Sequence, residues 1–432
     1  MSNGLLQRIG SRIRAELWDA PADQFPGLNG LRGLASYMVT LYHVGMFGGG
    51  LPILTSVTLE LSTTQRLING FWIGLDVFFV LSGFLIARIL MTSHKRTGTL
   101  EFRTFFTRRS FRVFPAYYLV LTFGVFYFTR LPGNITWLLL QGADWSQIRD
   151  SAWQNYTYTV NYFFAAGDIN AMSWAWSLCI EEQFYLALPL ILIFTFRVRA
   201  PAFRVGVLIS GILIPPLLRA IQYSLEPNVS LLDGMYYRTH NRADEIFYGV
   251  LVAYFFVFHH DAFKARVERL GNWTWILGIL CIMIVWIFGG LQARGPFAII
   301  AQFSLTAIGS ALLITNCLFL QNRFTRVMAH RSWFPAARVS YGNYLIHPYV
   351  LIWLLTYLGA SSIESFQGLQ IVGLLVGVIV ISNSLAALMY LIFESRLIEA
   401  GRQLGKRWRQ PTLSLGLRTS PSQVSEMDSR TR

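Results

Sequence analysis

Residues 29–49 read NGLRGLASYMVTLYHVGMFGG, a mostly apolar run that nevertheless carries Arg32 and His43. At about 1.5 Å of rise per residue, a helix of this length crosses the ~30 Å hydrocarbon core of a bilayer. Charged and titratable side chains are costly in hydrocarbon, and those found within membrane spans usually serve a function. The run therefore predicts a first membrane helix whose two polar side chains have a purpose.

The whole chain has the composition of an all-α integral membrane protein. Of its 432 residues, 54% are hydrophobic and 13% are charged, and apolar runs recur from residue 29 to residue 394. Apolar runs of about 18 or more residues are typical of transmembrane helices. The sequence predicts about ten transmembrane helices, at residues 29–48, 70–92, 113–130, 173–196, 204–222, 243–260, 273–291, 297–320, 339–358 and 369–394.

Basic residues cluster in alternate connections between these spans. Lys and Arg recur in both terminal segments and in the connections 93–112, 197–204, 261–272 and 321–338. Because cytoplasmic loops of membrane proteins are enriched in Lys and Arg, we expect both termini to face the cytoplasm. This bias explains the net charge of +14 without nucleic acid, and a basic surface suits anionic lipid or an anionic cofactor.

We expect the chain to comprise three segments. Residues 1–26 form a basic cytoplasmic segment, residues 27–395 a transmembrane domain, and residues 396–432 a cytoplasmic tail that we expect to be disordered. The Ser, Thr and Arg content of 410–432 predicts a disordered tail. The first apolar run is too long for a cleaved signal peptide, and we expect no appended soluble domain. The three cysteines lie inside apolar runs, which predicts neither a disulfide framework nor a metal site.

The first span presents a cation and a titratable group on one face. Arg32 and His43 are eleven residues apart, which is close to three helical turns and about 16 Å along the axis. With the helix running outward, Arg32 lies near the cytoplasmic end and His43 lies deeper in the membrane. A neutral imidazole there can accept a proton from a hydroxyl. The alternative is a histidine bonded to a neighbouring helix and an arginine that snorkels.

Two other spans carry polar groups at comparable depth. Asp76, in the second span, is predicted to orient His43 as a carboxylate does in a catalytic triad. Glu181 and Glu182 are adjacent in the fourth span and point about 100° apart. Glu181 is expected to pair with an arginine or with His43, and the alternative is an ion pair that joins two spans. Ser82 lies beside a glycine, where small residues also permit close helix packing.

A second histidine and an arginine cluster complete the set. His347 lies near mid-depth in the ninth span, before Pro348, which is expected to open the helix; a histidine at a structural kink is the alternative. Arg109 and Arg112 have i,i+3 spacing on one helix face, and paired arginines suit phosphate groups. The alternative is ordinary cytoplasmic charge against anionic lipid. Together these groups suit an anionic cytosolic donor that meets an acceptor inside the bilayer.

The longest outer connection, residues 131–172, is rich in aromatic residues. These are Trp137, Trp145, Trp153, Tyr156, Tyr158 and Tyr162. They form either an interfacial belt, which is the commoner arrangement, or a platform on which sugar rings stack.

Five motifs, in their order and spacing, make the chain resemble the membrane-bound acyltransferase-3 family. Members of this family are integral membrane O-acyltransferases that act mainly on carbohydrates, and the likeness covers about residues 27–395. The motifs are 30-GLRGLASYMVTLYH, 74-GLDVFFVLSGFLI, 108-RRSFRVFPAYYL, 174-WAWSLCIEEQFYLALP and 340-SYGNYLIHPYVLI.

The resemblance implies transfer of an acyl group, usually acetyl, from cytosolic acyl-CoA to a hydroxyl of a polysaccharide, lipopolysaccharide, lipid-linked sugar or glycosylated metabolite. The essential arginine and histidine of the family fall on Arg32 and His43. With the groups above, the expected catalytic set is Arg32, His43, Asp76, Glu181 and His347. The expected acyl-CoA site is Arg108, Arg109 and Arg112. The expected substrate contacts are Trp176, Tyr185, Tyr344 and Ser82.

The resemblance also implies binding partners and a cellular location. Expected partners are acyl-CoA, the carbohydrate acceptor, membrane lipids and glycan-assembly proteins, with neither metal nor nucleic acid, in a bacterial inner membrane. Some members carry a C-terminal hydrolase-like domain, which we expect this sequence to lack. It would then finish the reaction alone, pass the acyl group to a partner, or use an acceptor within the membrane domain. Asn29 stands where the family often has an aspartate, so we assign it no role.

Two other functions stay open from the residues alone. A proton-coupled transporter or flippase of a glycan-related substrate also needs membrane-embedded His, Glu and Arg, although the sequence has no evident inverted repeat. A non-catalytic scaffold for glycan assembly would not need such a set of titratable groups.

Overall fold

The computed structural model describes residues 7, 10–19, 25–48, 70–128, 145–164, 170–229, 231–291, 293–358 and 369–408. Every regular element in these ranges is helical, which confirms the predicted all-α class. The longer helices are α1 Pro26–Gly48, α2 Ile73–Thr97, α3 Phe102–Phe128, α4 Trp145–Tyr156, α5 Trp176–Arg197, α6 Pro201–Leu225, α7 Thr239–Phe258, α8 His260–Leu270, α9 Trp273–Phe288, α10 Gln302–Phe319, α11 Trp333–Tyr357, α12 Leu369–Met389 and α13 Ser395–Arg407. Shorter helical segments are Arg14–Trp18, Gly70–Trp72, Val160–Phe164, Ser173–Ala175, Leu231–Gly234, Phe297–Ala301, Arg323–Met328 and Tyr390–Glu394.

Each predicted span coincides with one of these helices, with limits that differ by several residues. Among the described residues, five helices are long and apolar enough to cross a membrane, namely Gly70–Thr97, Ser173–Arg197, Pro201–Leu225, Phe297–Phe319 and Val372–Arg407. A sixth is added if α7 and α8, which meet at a bend of 114°, count as one span. The protein is therefore a multi-pass membrane protein. The number of ten spans and the cytoplasmic position of both termini stay predictions.

The helix α2 lies at the centre of the bundle and packs most closely against α7. Gly83 of α2 lies against the carbonyl of Ile246, and Gly249 of α7 lies against the carbonyl of Val80. A Cβ atom at either glycine would collide with the backbone of the other helix. Small residues thus allow the two backbones to approach closely, as is common between membrane helices.

Apolar side chains on the outer helices point away from the bundle. On α6, Leu213 and Leu217 are 60% and 59% exposed, and on α12 Val380 is 56% exposed. On the central α2, by contrast, Phe79 and Phe84 are fully buried. Exposed leucine and valine faces of this kind match a lipid environment, so α6 and α12 lie at the rim.

One expectation about local structure is corrected and another stays a prediction. The helix α11 continues through Pro348 to Tyr357, and the local opening expected at this proline stays a prediction. Part of the tail predicted to be disordered forms α13, which packs on α3 through a 3.3 Å hydrogen bond from Thr104 Oγ1 to the carbonyl of Gly405. The remaining tail, residues 409–432, lies outside the described residues, as does Trp137 of the outer connection.

Candidate functional site

A cavity of about 420 Å³ lies between α1, α2, α3, α5 and α11. Six residues that the sequence singled out line it together, although they come from five helices: Arg32, Ser82, Arg109, Arg112, Glu181 and Tyr344. Arg88 of α2 is a further basic residue on its wall. Four arginines and one carboxylate thus line the cavity, so its lining has an excess of positive charge.

The arginines of this cavity differ in whether a neighbouring carboxylate balances their positive charge. The Arg109 guanidinium lies 3.3 Å from Glu182 Oε1 and 3.6 Å from Glu181 Oε2, and 4.0 Å above the centre of the Tyr185 ring. By contrast, neither Arg32 nor Arg112 forms a hydrogen bond or ion pair with another residue in the part of the chain that the structure describes. Two guanidinium groups therefore face the cavity with their donors available to an anion.

Arg108, the third arginine predicted to bind the cofactor, is placed elsewhere. Its side chain lies against Gly405 of α13, and it is not among the residues that line the cavity. Arg109, the next residue, points about 100° away from Arg108 around the helix and faces the cavity, as does Arg112 one turn later.

A hydroxyl relay leads from Ser82 to the carboxylate of Glu181. The Tyr185 hydroxyl donates to Glu181 Oε2 at 2.6 Å, so its oxygen is left to accept from the hydroxyl of Ser82, which is in contact with it. Tyr185 is itself buried. The relay fixes Glu181 toward Arg109 and the cavity, rather than toward His43.

The two histidines predicted in different spans are in direct contact. His347 Nε2 lies 3.0 Å from His43 Nδ1, and the ring centres are 4.9 Å apart. His347 is fully buried and His43 is partly exposed. The sequence placed both near mid-membrane but predicted a carboxylate as the partner of His43.

Hydrogen bonds to carbonyl groups fix the tautomers of this pair. His347 Nδ1 lies 2.8 Å from the carbonyl oxygen of Asn343, which can only accept, so His347 carries its proton on Nδ1. Its Nε2 is then an acceptor, and His43 Nδ1 must donate to it and to the carbonyl of Val39 at 3.0 Å. His347 Nε2 is occupied as an acceptor, so the Nε2 atom of His43 is the nitrogen of the pair that is left free to accept a proton.

Asn343 holds the histidine pair in place through hydrogen bonds that join three helices. Its side-chain nitrogen donates to Ser36 Oγ at 3.2 Å and Thr40 Oγ1 at 3.1 Å on α1. Its side-chain oxygen accepts from Ser382 on α12 at 2.7 Å, and its backbone carbonyl accepts from His347. All these polar groups are buried, so the network joins α1, α11 and α12.

Tyr344 connects the cavity with the histidine pair. It lines the cavity, its hydroxyl lies 2.6 Å from Ser177 Oγ, and its ring centre is 6.0 Å from that of His347. Neither histidine lines the cavity itself, so Tyr344 lies between the cavity and the histidine pair.

Asp76 is placed in a different cluster from the one predicted. Its carboxylate lies 2.5 Å from the guanidinium of Arg242 on α7, which also binds Glu245 at 2.8 Å, and all three side chains are fully buried. A buried carboxylate is stabilised far more by a guanidinium than by a neutral imidazole, which explains this choice of partner. Trp176, predicted to contact substrate, packs on this cluster at 4.7 Å from the Tyr236 ring.

Sequence reasoning did not predict the ion pairs of Arg242 or a second ion pair beside them. Close by, Arg219 of α6 binds Asp244 of α7 at 2.9 Å, again with both side chains fully buried. The available signal was the run 239-THNRADEIFYG, in which charges of both signs stand at the start of an apolar span. Among the described residues, no group of His, Cys, Asp and Glu has the geometry to hold a metal ion.

Both interpretations of the aromatic residues in 131–172, as an interfacial belt or as a sugar platform, stay open. Trp153, Tyr156 and Tyr162 of the segment after residue 144 are 50%, 39% and 41% exposed. Tyr158, in contrast, is buried and stacks on Tyr117 with ring centres 4.4 Å apart. The exposed rings fit an interfacial belt as well as a sugar platform.

Comparison with known proteins gives a family and several relatives. An acyltransferase-domain family matches residues 25–389. The chain is 28% identical over 334 residues to the peptidoglycan O-acetyltransferase OatA of Listeria monocytogenes, covering 77% of this chain and 50% of that protein. It is 25% identical over 352 residues to a putative O-acetyltransferase of Staphylococcus aureus (77% and 51%), and 27% identical over 334 residues to the putative peptidoglycan O-acetyltransferase YrhL of Bacillus subtilis (76% and 48%).

The chain spans about half the length of these curated relatives. No solved structure matches it. The family match covers most of the chain, including every helix that lines the cavity and both histidines. The protein belongs to the acyltransferase-3 family of membrane proteins.

Proposed function

We propose that the protein is a membrane O-acyltransferase that moves an acyl group, most often acetyl, from acyl-CoA to a hydroxyl of a cell-envelope carbohydrate. The observation that carries the proposal is the cationic cavity joined through Tyr344 to a histidine pair with one free nitrogen. The relatives named peptidoglycan O-acetyltransferases support a cell-wall glycan as acceptor and a bacterial inner membrane as location.

In the proposed mechanism, Arg32 and Arg112 bind the phosphate groups of acyl-CoA. Forked guanidinium donors form charge-assisted bonds with phosphate, and these two lack a protein carboxylate partner among the described residues. Arg109 is already bound by Glu181 and Glu182, so its positive charge is met within the protein and it contributes less to phosphate binding. This differs from the sequence interpretation, which placed Arg108, Arg109 and Arg112 at the acyl-CoA site.

His43 is proposed as the general base for the acceptor hydroxyl. Its Nε2 takes the hydroxyl proton while the hydroxyl oxygen bonds to the thioester carbonyl carbon, and the carbon–sulfur bond then breaks. The proton passes from His43 to the leaving thiolate, so the products are the ester and CoA with no net change in protons. A covalent relay through His43 uses the same free nitrogen and stays the second form of this mechanism.

The direct test uses purified protein in nanodiscs with labelled acetyl-CoA and cell-wall glycan fragments. We expect His43→Ala to lower CoA release by about 100- to 10,000-fold, the usual contribution of a positioned acid–base group. The matched control is His330→Ala, since His330 is exposed and bonds only locally to Ser332. Full activity of His43→Ala at normal protein levels would refute this role, and glycan movement without acyl-CoA would favour the transporter.

His347 is proposed as a positioning residue that fixes the tautomer of His43. In His347→Leu, the acceptor for His43 Nδ1–H is lost and the proton can move to Nε2, so we expect about a 100-fold loss of kcat, or about 2.7 kcal/mol. His347→Gln keeps an acceptor at that place and should recover much of the rate. Equal losses in both variants, with an unchanged pH profile in His347→Leu, would contradict a role through the tautomer.

A further inference from the structure

Two buried arginines near the core of the bundle bind different numbers of carboxylates. Arg219 binds Asp244 through two parallel bonds of 3.1 and 2.9 Å, and Ser304 adds a 2.6 Å bond to the same carboxylate. This pair is neutral and both oxygens of Asp244 have donors. It provides an internal reference for the second arginine.

Arg242 is shared by two carboxylates instead of one. It donates to Glu245 Oε2 at 2.8 Å and Glu245 Oε1 at 3.2 Å, and to Asp76 Oδ1 at 2.5 Å. The three side chains are fully buried. If both carboxylates were ionised, this cluster would hold one uncompensated negative charge, which is costly in a buried environment.

The second carboxylate oxygen of Asp76 indicates how the extra negative charge of the cluster is compensated. Asp76 Oδ2 is buried and has no donor among the described residues. The carboxyl groups of Asp76 and Glu245 both bind the guanidinium of Arg242, so both lie close to the same cation. Like charges held this close disfavour ionisation of both groups, and a proton on one of them removes the repulsion and supplies a donor for the other.

No second cation is found for the cluster among the described residues that face it. Aromatic rings surround the Arg242 guanidinium, with ring centres at 4.0 Å for Phe303 and 4.6 Å for Tyr236. The other titratable or charged groups nearby are Tyr236 and Tyr237 before α7, Tyr42 of α1, and the neutral pair of Arg219 and Asp244.

We infer that Asp76 and Glu245 hold one proton between them at neutral pH, so that the cluster around Arg242 is an electrically neutral proton-binding site inside the bundle. The proton takes the place that a second cation would fill. This site is about 9 Å along α2 from Ser82 of the cavity, and it would exist whether or not the cavity binds acyl-CoA.

The test measures the shared proton directly by infrared spectroscopy of the full-length protein in nanodiscs. We expect the carbonyl stretch of a protonated carboxylic acid at neutral pH. The intensity contributed by one carboxyl group should be lost in Asp76→Asn and also in Glu245→Gln, because the carboxyl group left behind ionises beside Arg242. Asp150→Asn, at an exposed surface carboxylate, is the control that should leave the band unchanged. A band of unchanged intensity in both cluster variants would overturn the inference.

Thermal unfolding gives a second, independent readout. Each single variant leaves Arg242 with one carboxylate, so we expect each to melt close to the wild type. The double variant leaves Arg242 unpaired, and its midpoint should fall by more than the sum of the two single shifts. Additive shifts in the double variant would overturn a shared proton.

Discussion

Two arginines in this protein each lie between two carboxylates, and they differ in how tightly the charges meet. Arg242 lies 2.5 Å from Asp76 and 2.8 Å from Glu245, and all three side chains are fully buried. Arg109 lies 3.3 Å from Glu182 and 3.6 Å from Glu181, and its side chain is 18% exposed. An arginine between two carboxylates is thus fully buried at Arg242, whereas at Arg109 it lies at the wall of a cavity.

The difference separates a structural role from a chemical one. Breaking a close, buried ion pair leaves an uncompensated charge, so the Arg242 cluster stabilises the packing of α2 against α7. Longer contacts beside a cavity cost less to rearrange, and two further arginines lie there without a carboxylate partner among the described residues. The cavity can therefore exchange internal contacts for contacts with an anionic ligand.

Removing the cation from the closed cluster should have the largest effect. We expect Arg242→Met to lower the free energy of unfolding by about 3–5 kcal/mol, because Asp76 and Glu245 are left without their donor. Folded yield and thermal unfolding in detergent would measure it. The triple variant with Asp76→Asn and Glu245→Gln, which has no charge left at this place, should recover most of the loss. Unchanged stability of Arg242→Met would remove the proposed distinction between the two arginines.

Removing a cation from the open cavity should affect binding instead of folding. We expect Arg112→Gln to raise the KM for acyl-CoA about tenfold, or about 1.4 kcal/mol, with little change in melting temperature. The matched control is Arg402→Gln, because Arg402 is exposed and pairs with Glu399 on α13. A fall in stability with no change in KM would mean that Arg112 resembles Arg242.

The smallest effect, with the opposite sign, is expected when a carboxylate is removed from the open cluster. Glu182→Gln frees one side of Arg109, and the added positive charge should lower the KM for acyl-CoA about fivefold, near 1 kcal/mol. Asp244→Asn, in the closed pair with Arg219, should leave the KM unchanged while it lowers stability. A raised KM in Glu182→Gln would show that Arg109 depends on Glu182 for its position.

Sequence reasoning located the cavity better than it located the partners within it. The i,i+3 spacing of Arg109 and Arg112 depends only on local geometry, and it was sufficient to predict that both line the same cavity. The choice of partner for Asp76 depends on a residue 166 positions later, and local periodicity carries no information about such a contact. The contact between His43 and His347 spans 304 positions and was missed for the same reason.

The role of Asn343 shows a second limit of sequence reasoning. An asparagine in an apolar span indicates a buried hydrogen-bond network. It does not indicate which helices join that network. Ser36, Thr40 and Ser382 become its partners only because α1 and α12 pack on either side of α11.

The pairing of Asp76 with Arg242 also has a consequence for how the protein is made. Asp76 enters the membrane with α2, whereas Arg242 is 166 residues from it along the chain. At synthesis rates of about 5–20 residues per second, the aspartate waits roughly 8–33 s before its partner leaves the ribosome. During that interval a protonated carboxyl group is the form least costly to hold in lipid. The proton that we infer between Asp76 and Glu245 would then be carried into the bundle from the first stage of insertion and kept after Arg242 arrives.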